Sequence, residues 1–140
     1  NLTAAAVSEN LNILDKGAYL EFTNRLIEHN IPESLMQFDS ILQKGIEGHQ
    51  FMSGLAIHFR DLLISKDPKT IPLLEISESL QQGYADQAKQ LSLGYLLDAI
   101  DLAHGCELNF KNSNNKRLHV ELCIMQLASL HFDGEKKKEC

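Results

Sequence analysis

At 140 residues, 44% of them hydrophobic, the chain suits one domain whose core buries roughly 70% of the surface that the unfolded chain exposes. Its 13 Lys and Arg against 19 Asp and Glu give a formal charge of −6, so phosphate backbones are repelled on average and direct DNA binding is not expected. No apolar run approaches the roughly 20 residues of a membrane span and no signal-like segment opens the chain, so neither a membrane nor export is expected, and the expected location is the cytoplasm.

Apolar residues recur at spacings of three and four almost throughout, with three prolines and no sustained alternation, which predicts an all-α fold. A short helix is expected from about Thr3, as N-cap, to Asn12. The next, at about 18–29, aligns Tyr19, Phe22 and Leu26. In the third, Pro32 falls in the first turn, Leu35, Phe38, Ile41 and Leu42 form the apolar face, and Gly45 stops the helix. The fourth, at about 49–65, carries the cleanest stripe: Phe51, Leu55, Phe59, Leu62 and Leu63.

Pro68 and Pro72 break the pattern, which makes 66–72 the expected loop. A fifth helix at about 77–89 carries Leu80, Tyr84 and Ala88, with Gly83 weakening its continuity. Ser92 caps a sixth, reaching Leu108. After the polar stretch 109–115, a seventh runs from Lys116 to about His131. The whole reads as a bundle of six to seven helices.

The last two helices are apolar on two sides. At about 100° per residue, Leu118, Leu122 and Met125 share one face of the last helix and Val120, Ile124 and Leu127 nearly the opposite one. Arg117 and Glu121 lie on one stripe between these faces, His119 and Gln126 on the other. Likewise Leu93, Leu96, Leu97 and Ile100 oppose Tyr95, Leu102 and Cys106. Such helices are expected to be covered on both sides, either by sitting centrally in their own bundle or by turning one face to another subunit.

Catalytic and metal signatures are not found. No G-x-x-x-x-G-K-[ST] occurs, so ATP has no recognisable cradle. The six histidines form no H-E-x-x-H, and His104 and Cys106 point to different sides of a helix. Cys106, Cys123 and Cys140 make an odd count without C-x-x-C spacing, which argues against a disulfide framework or zinc and for reduced thiols in a cytosolic protein. Cys123 reads as a buried, inert thiol. Glu75, Glu78, Asp98, Asp101 and Glu107 are spread over solvent stripes rather than paired for acid–base work. Lys136 to Lys138, flanked by Glu135 and Glu139, reads as a solvated tail.

The order of three elements carries a resemblance. The short helix Val7 to Asp15 ends in Leu14-Asp15, a later helix ends in Arg60-Asp61-Leu62-Leu63, and the last helix starts with Asn115-Lys116-Arg117-Leu118-His119-Val120-Glu121. This series resembles the C-terminal collar domain of the bacterial DNA polymerase III gamma/tau subunit of the sliding-clamp loader, whose last helix begins N-P-R-L-x-x-E. Here Lys116 replaces the proline and removes a pre-organised first helical residue.

The resemblance implies that residues 1–14 are the end of the ATPase lid domain with its connecting helix. By the same likeness 15–133 are the helical collar and 134–140 a flexible charged tail that begins a linker. It implies an oligomerisation role, holding a pentameric ring together while the clamp is loaded. Expected partners are other clamp-loader subunits: further gamma/tau copies, delta and delta prime. No catalytic residue, cofactor or metal is expected in this fragment; ATP and Mg²⁺ belong to a preceding module of the parent clamp-loader ATPase.

The candidate subunit-interface residues are Arg117, Leu118, Glu121, Leu122 and Met125. Arg117 before Glu121 at i,i+4 is the poorer order for the helix dipole, which favours a partner-facing role. Two alternatives stand beside this reading: a helical adaptor or scaffold unrelated to replication, and a small helical enzyme using buried carboxylates.

Overall fold

The computed structural model describes residues 15–74 and 76–130. Among these, six α-helices and two short 3₁₀ turns follow one another with no strand. They are α1 (Lys16–Ile27), α2 (Ile31–Gln43), α3 (Gly48–Ser65), a turn at Ile71–Leu73, α4 (Glu78–Lys89), α5 (Leu93–Asn109), a turn at Phe110–Asn112, and α6 (Lys116–Ser129). The helix expected at 3–12, Leu14 and the tail from 134 lie outside the described residues.

Four helices start where a short polar side chain satisfies a free N–H of the first turn. Asn30 Oδ1 accepts from the Glu33 N–H (3.2 Å), Ser77 Oγ from Leu80 (3.4 Å), Ser92 Oγ from Tyr95 (3.1 Å) and Asn115 Oδ1 from Leu118 (3.0 Å). Asn115 thereby sets the start of α6 at Lys116. Lys116 compensates for the missing proline by reaching back: its Nζ donates to the Ser113 carbonyl (3.2 Å) and sits 5.5 Å from the centre of the Phe110 ring.

Two stops are equally local. Gly45, with φ 96°, takes the left-handed position after α2 that a glycine adopts without strain. After α1 that position belongs to His29, with φ 59°, and the chain closes through Asn30 N–H to the Arg25 carbonyl and His29 N–H to Leu26, both 2.9 Å. This cap ends α1 at Ile27, two residues before the expected limit. His29 also uses its ring: Nδ1 lies 2.6 Å from the Ala128 carbonyl and ties the end of α1 to the end of α6.

The central element is α3. It packs against α1, α4, α5 and α6, most extensively along α5, and Phe51, Met52, Leu55, Phe59 and Leu62 are fully buried. Around its first half an aromatic cluster forms: Phe22 meets Phe51 edge-on at 4.9 Å, and Tyr19 stacks on Phe51 at 5.7 Å. Gly54 is the clearance this requires, because a Cβ there would overlap the Tyr19 phenol oxygen.

The last two helices are therefore not the centre of the bundle, which corrects the first of the two expectations for them. Each is covered on one side only within the chain. A further correction concerns α4, which continues without a break through Gly83. There Leu20 of α1 approaches to 3.3 Å of where a Cβ would stand. The expected loop 66–72 is a tight turn running into the 3₁₀ turn at Ile71–Leu73. Lys66 leaves α3 and donates from Nζ to the carbonyls of Ala88 (2.9 Å) and Leu91, where α4 ends and its carbonyls lack helical partners.

Candidate subunit-association surface

On α6 the two apolar faces separate cleanly. Val120, Ile124 and Leu127 are fully buried, with Cys123 and Ala128 beside them, while Leu118 and Leu122 are 45% and 50% exposed. Met125 is half-buried at the edge of that outward face. The polar stripes between the faces are where neighbouring helices attach. On one flank Arg117 donates to Asp39 of α2 (2.9 Å) and to Glu121 (2.8 Å). On the other, His119 Nε2 donates to the Cys106 carbonyl of α5 (3.0 Å), since a carbonyl can only accept.

Arg117 and Glu121 thus hold α6 against α2 within the chain, and the bonds to Glu121 and Asp39 raise the already high Arg117 pKa. Leu118 and Leu122 are the members of the candidate set that stand free of the chain's own packing. Sequence reasoning had no signal for Asp39 as a partner, because it lies 78 positions away.

A second outward stripe lies on α5. Leu93, Leu97 and Leu108 are 57%, 52% and 65% exposed, and at about 100° per residue they fall within roughly 60° of one another. Leu96, read with them from sequence, is fully buried, and Ile100 is half-buried. The stripe lies on the far side of α5 from Leu102 and Cys106, through which α5 meets α6. Of the eight large hydrophobic residues exposed among those described, five therefore lie on α5 and α6. Met36, Ile57 and Leu73 stand singly, as exposed apolar residues commonly do.

The remaining polar interior is structural. His58, buried in α3, donates from Nε2 to Gln87 Oε1 (2.8 Å), and Gln87 Nε2 donates to the Leu20 carbonyl and Asn24 Oδ1, both 2.9 Å. One amide thereby joins α1, α3 and α4. Burial, against the Gln87 bond and helped by Lys16, pushes the His58 pKa down to about 4. Asp61 is the only buried carboxylate among the described residues, and it is paired with Arg60 at 2.7 Å. Leu62 beside it faces the core. The other acids named from sequence do not converge on it: Glu78, Asp98 and Asp101 are exposed, Glu107 is half-exposed, and Glu75 lies outside the described residues.

Two clefts flank α6. One, of about 440 Å³, lies over Phe38, Leu42, Phe110 and Val120 with Arg117 at its side; the other, of about 350 Å³, follows the α5–α6 seam. In neither, nor at any other place among the described residues, do three His, Cys, Asp or Glu side chains converge so that they could hold a metal ion. No described helix is long and apolar enough to cross a membrane.

The described residues thus form an all-α bundle with a buried core and two separate outward leucine stripes. The chain matches the family described as DNA polymerase III subunits gamma and tau, domain III, over residues 2–138, and it belongs to that family. It is thus a domain of the replicative polymerase's clamp-loader subunit, and the adaptor unrelated to replication falls away. Among curated proteins, no relative matches the chain closely enough to inform its role.

Proposed function

We propose that this domain is the collar through which gamma/tau subunits join one another and the delta and delta prime subunits in a pentameric clamp-loader ring in the cytoplasm. A ring is built from head-to-tail contacts, so each subunit must offer two different surfaces to its two neighbours. The observation that carries this reading is that the outward leucines form two separate stripes, Leu93, Leu97 and Leu108 on α5 and Leu118 and Leu122 on α6. Because each is already about half covered, their burial against neighbours would contribute about 1 kcal/mol for each leucine.

Within this proposal the lid domain ends near residue 14, the collar runs over 15–133, and a linker starts at 134. The domain itself contacts neither ATP nor DNA; nucleotide and Mg²⁺ are held by the parent protein's ATPase module. The test uses the full-length subunit carrying Leu122→Asp or Leu97→Asp, mixed with delta and delta prime and analysed by sedimentation. Each variant is expected to keep its helicity and melting temperature while the ring fraction collapses. Ring formation by both variants at parental levels would overturn the proposal.

A further inference from the structure

Beneath the outward face of α6, two thiols meet across the α5–α6 seam. Cys106 of α5 and Cys123 of α6 are both buried and both free. The Cys123 thiol also faces the Leu102 carbonyl at 3.5 Å. The cleft of about 350 Å³ along this seam has both cysteines in its wall, together with Gly105, His119 and Leu122. No atom would crowd a Cβ at Gly105, so the approach beside Cys106 is open. The Leu102 carbonyl lies one helical turn before Cys106, and His119, which donates to the Cys106 carbonyl, lies one turn before Cys123, so the two thiols face one seam and share one solvent-facing cleft.

We infer that Cys106 and Cys123 form an oxidisable dithiol, a modification site at which a hydroperoxide closes a disulfide between α5 and α6. The two thiols divide the work: the neighbouring Cys123 holds the Cys106 thiol below its ordinary pKa, while the neighbouring Cys106 and then burial push Cys123 up, so Cys123 keeps its proton. The thiolate is the nucleophile, which makes Cys106 the attacking sulfur.

In the first step the Cys106 sulfur attacks the peroxide; an S–O bond forms, the O–O bond breaks, and the leaving oxygen takes up a proton as an alcohol or water. Cys106 is then a sulfenic acid. In the second step the Cys123 sulfur attacks Cys106, the S–O bond breaks, and hydroxide departs with the Cys123 proton as water. Two thiols have lost two protons and two electrons, and the peroxide has been reduced.

The test uses the full chain with Cys140→Ser, so that the two seam thiols are the only ones present. Hydrogen peroxide is added under native conditions, and alkylation, intact mass and a peptide map are read. Both thiols are expected to disappear from alkylation together, with a mass lower by two hydrogens, a Cys106–Cys123 cross-linked peptide, and recovery of both on reduction. In Cys123→Ser the reaction is expected to stop at the Cys106 sulfenic acid, which dimedone traps. In Cys106→Ser the remaining thiol is expected to be oxidised about tenfold more slowly or less. Three results would overturn the inference: two thiols that stay alkylatable in the native chain, dimedone trapping as strong with Cys123 present as without it, or disulfides formed only between molecules. The first arm needs no variant at the seam to fold, since the parental pair itself is measured.

Discussion

Helices α1 to α4 and the pair α5–α6 use the same apolar periodicity for different ends. In the first region the large aromatic residues turn inward without remainder: Phe22, Phe38, Phe51 and Phe59 are fully buried, and the one polar cluster among them, His58 with Gln87, links three helices. In the second, leucines divide. Leu96 and Leu127 are fully buried, whereas Leu93, Leu97, Leu108, Leu118 and Leu122 remain outside. A helix with one apolar face needs only its own chain to cover it; a helix with two needs either a central place or a neighbour. Because α3 takes the central place, the surplus on α5 and α6 faces outward.

The sharpest way to break this contrast is to put one charge on each face of α6. Ile124→Asp buries an unpaired carboxylate and is expected to destabilise the domain by about 4 kcal/mol. Leu122→Asp, two residues earlier, is expected to change stability by no more than about 0.5 kcal/mol. Urea melts of both variants check this, and equal losses would show that the two faces are not distinct.

Acid probes the first region through His58. The unfolded chain takes up a proton there near pH 6.5, while the folded chain resists until about pH 4. Between these values the unfolded state binds more protons, so stability is full above pH 6.5 and falls as pH drops, levelling off below about 4. The gap is worth about 3 kcal/mol. Melts of the parent and His58→Phe should diverge by about that amount in total between pH 7 and pH 4, and parallel curves would remove His58 from the account.

The smallest effects come from two helical glycines in the two regions. Gly54→Ala is expected to destabilise by about 1–3 kcal/mol, because the added methyl displaces Tyr19 from its stack on Phe51. Gly105→Ala meets nothing within 4 Å and is expected to stabilise by about 0.5–1 kcal/mol through helix propensity alone. Thermal melts that moved in the same direction for both would contradict the packing difference between α3 and α5.

Much of the architecture was legible because its causes are local. Ser92, Ser77 and Gly45 set helix ends through their own side chain or backbone conformation, and the stripe Phe51, Leu55, Phe59 and Leu62 follows from period alone. The end of α1 was misplaced by two residues because a histidine, held by Ala128 99 positions away, occupies a position that glycine usually signals. The weak point assigned to Gly83 disappeared for a similar reason: a packing neighbour, Leu20, decides that position. At the candidate association surface, Leu118, Leu122 and Met125 could be read as one face. Its direction could not, and neither could the tie from Arg117 to Asp39.

By itself, then, the sequence determined an all-α chain, its helix boundaries to within about a turn, the two-sided character of its last helices, and the ordered motifs of its family. Those properties depend on residues within one or two helical turns of each other, where the 3.6-residue period and the capping groups act directly. Tertiary structure alone decided which helix is central, which leucines remain in water, and that Cys106 and Cys123, 17 positions apart, share one seam. Burial is a property of what packs over a face, and no spacing along the chain encodes which of two equally apolar faces the rest of the molecule will cover.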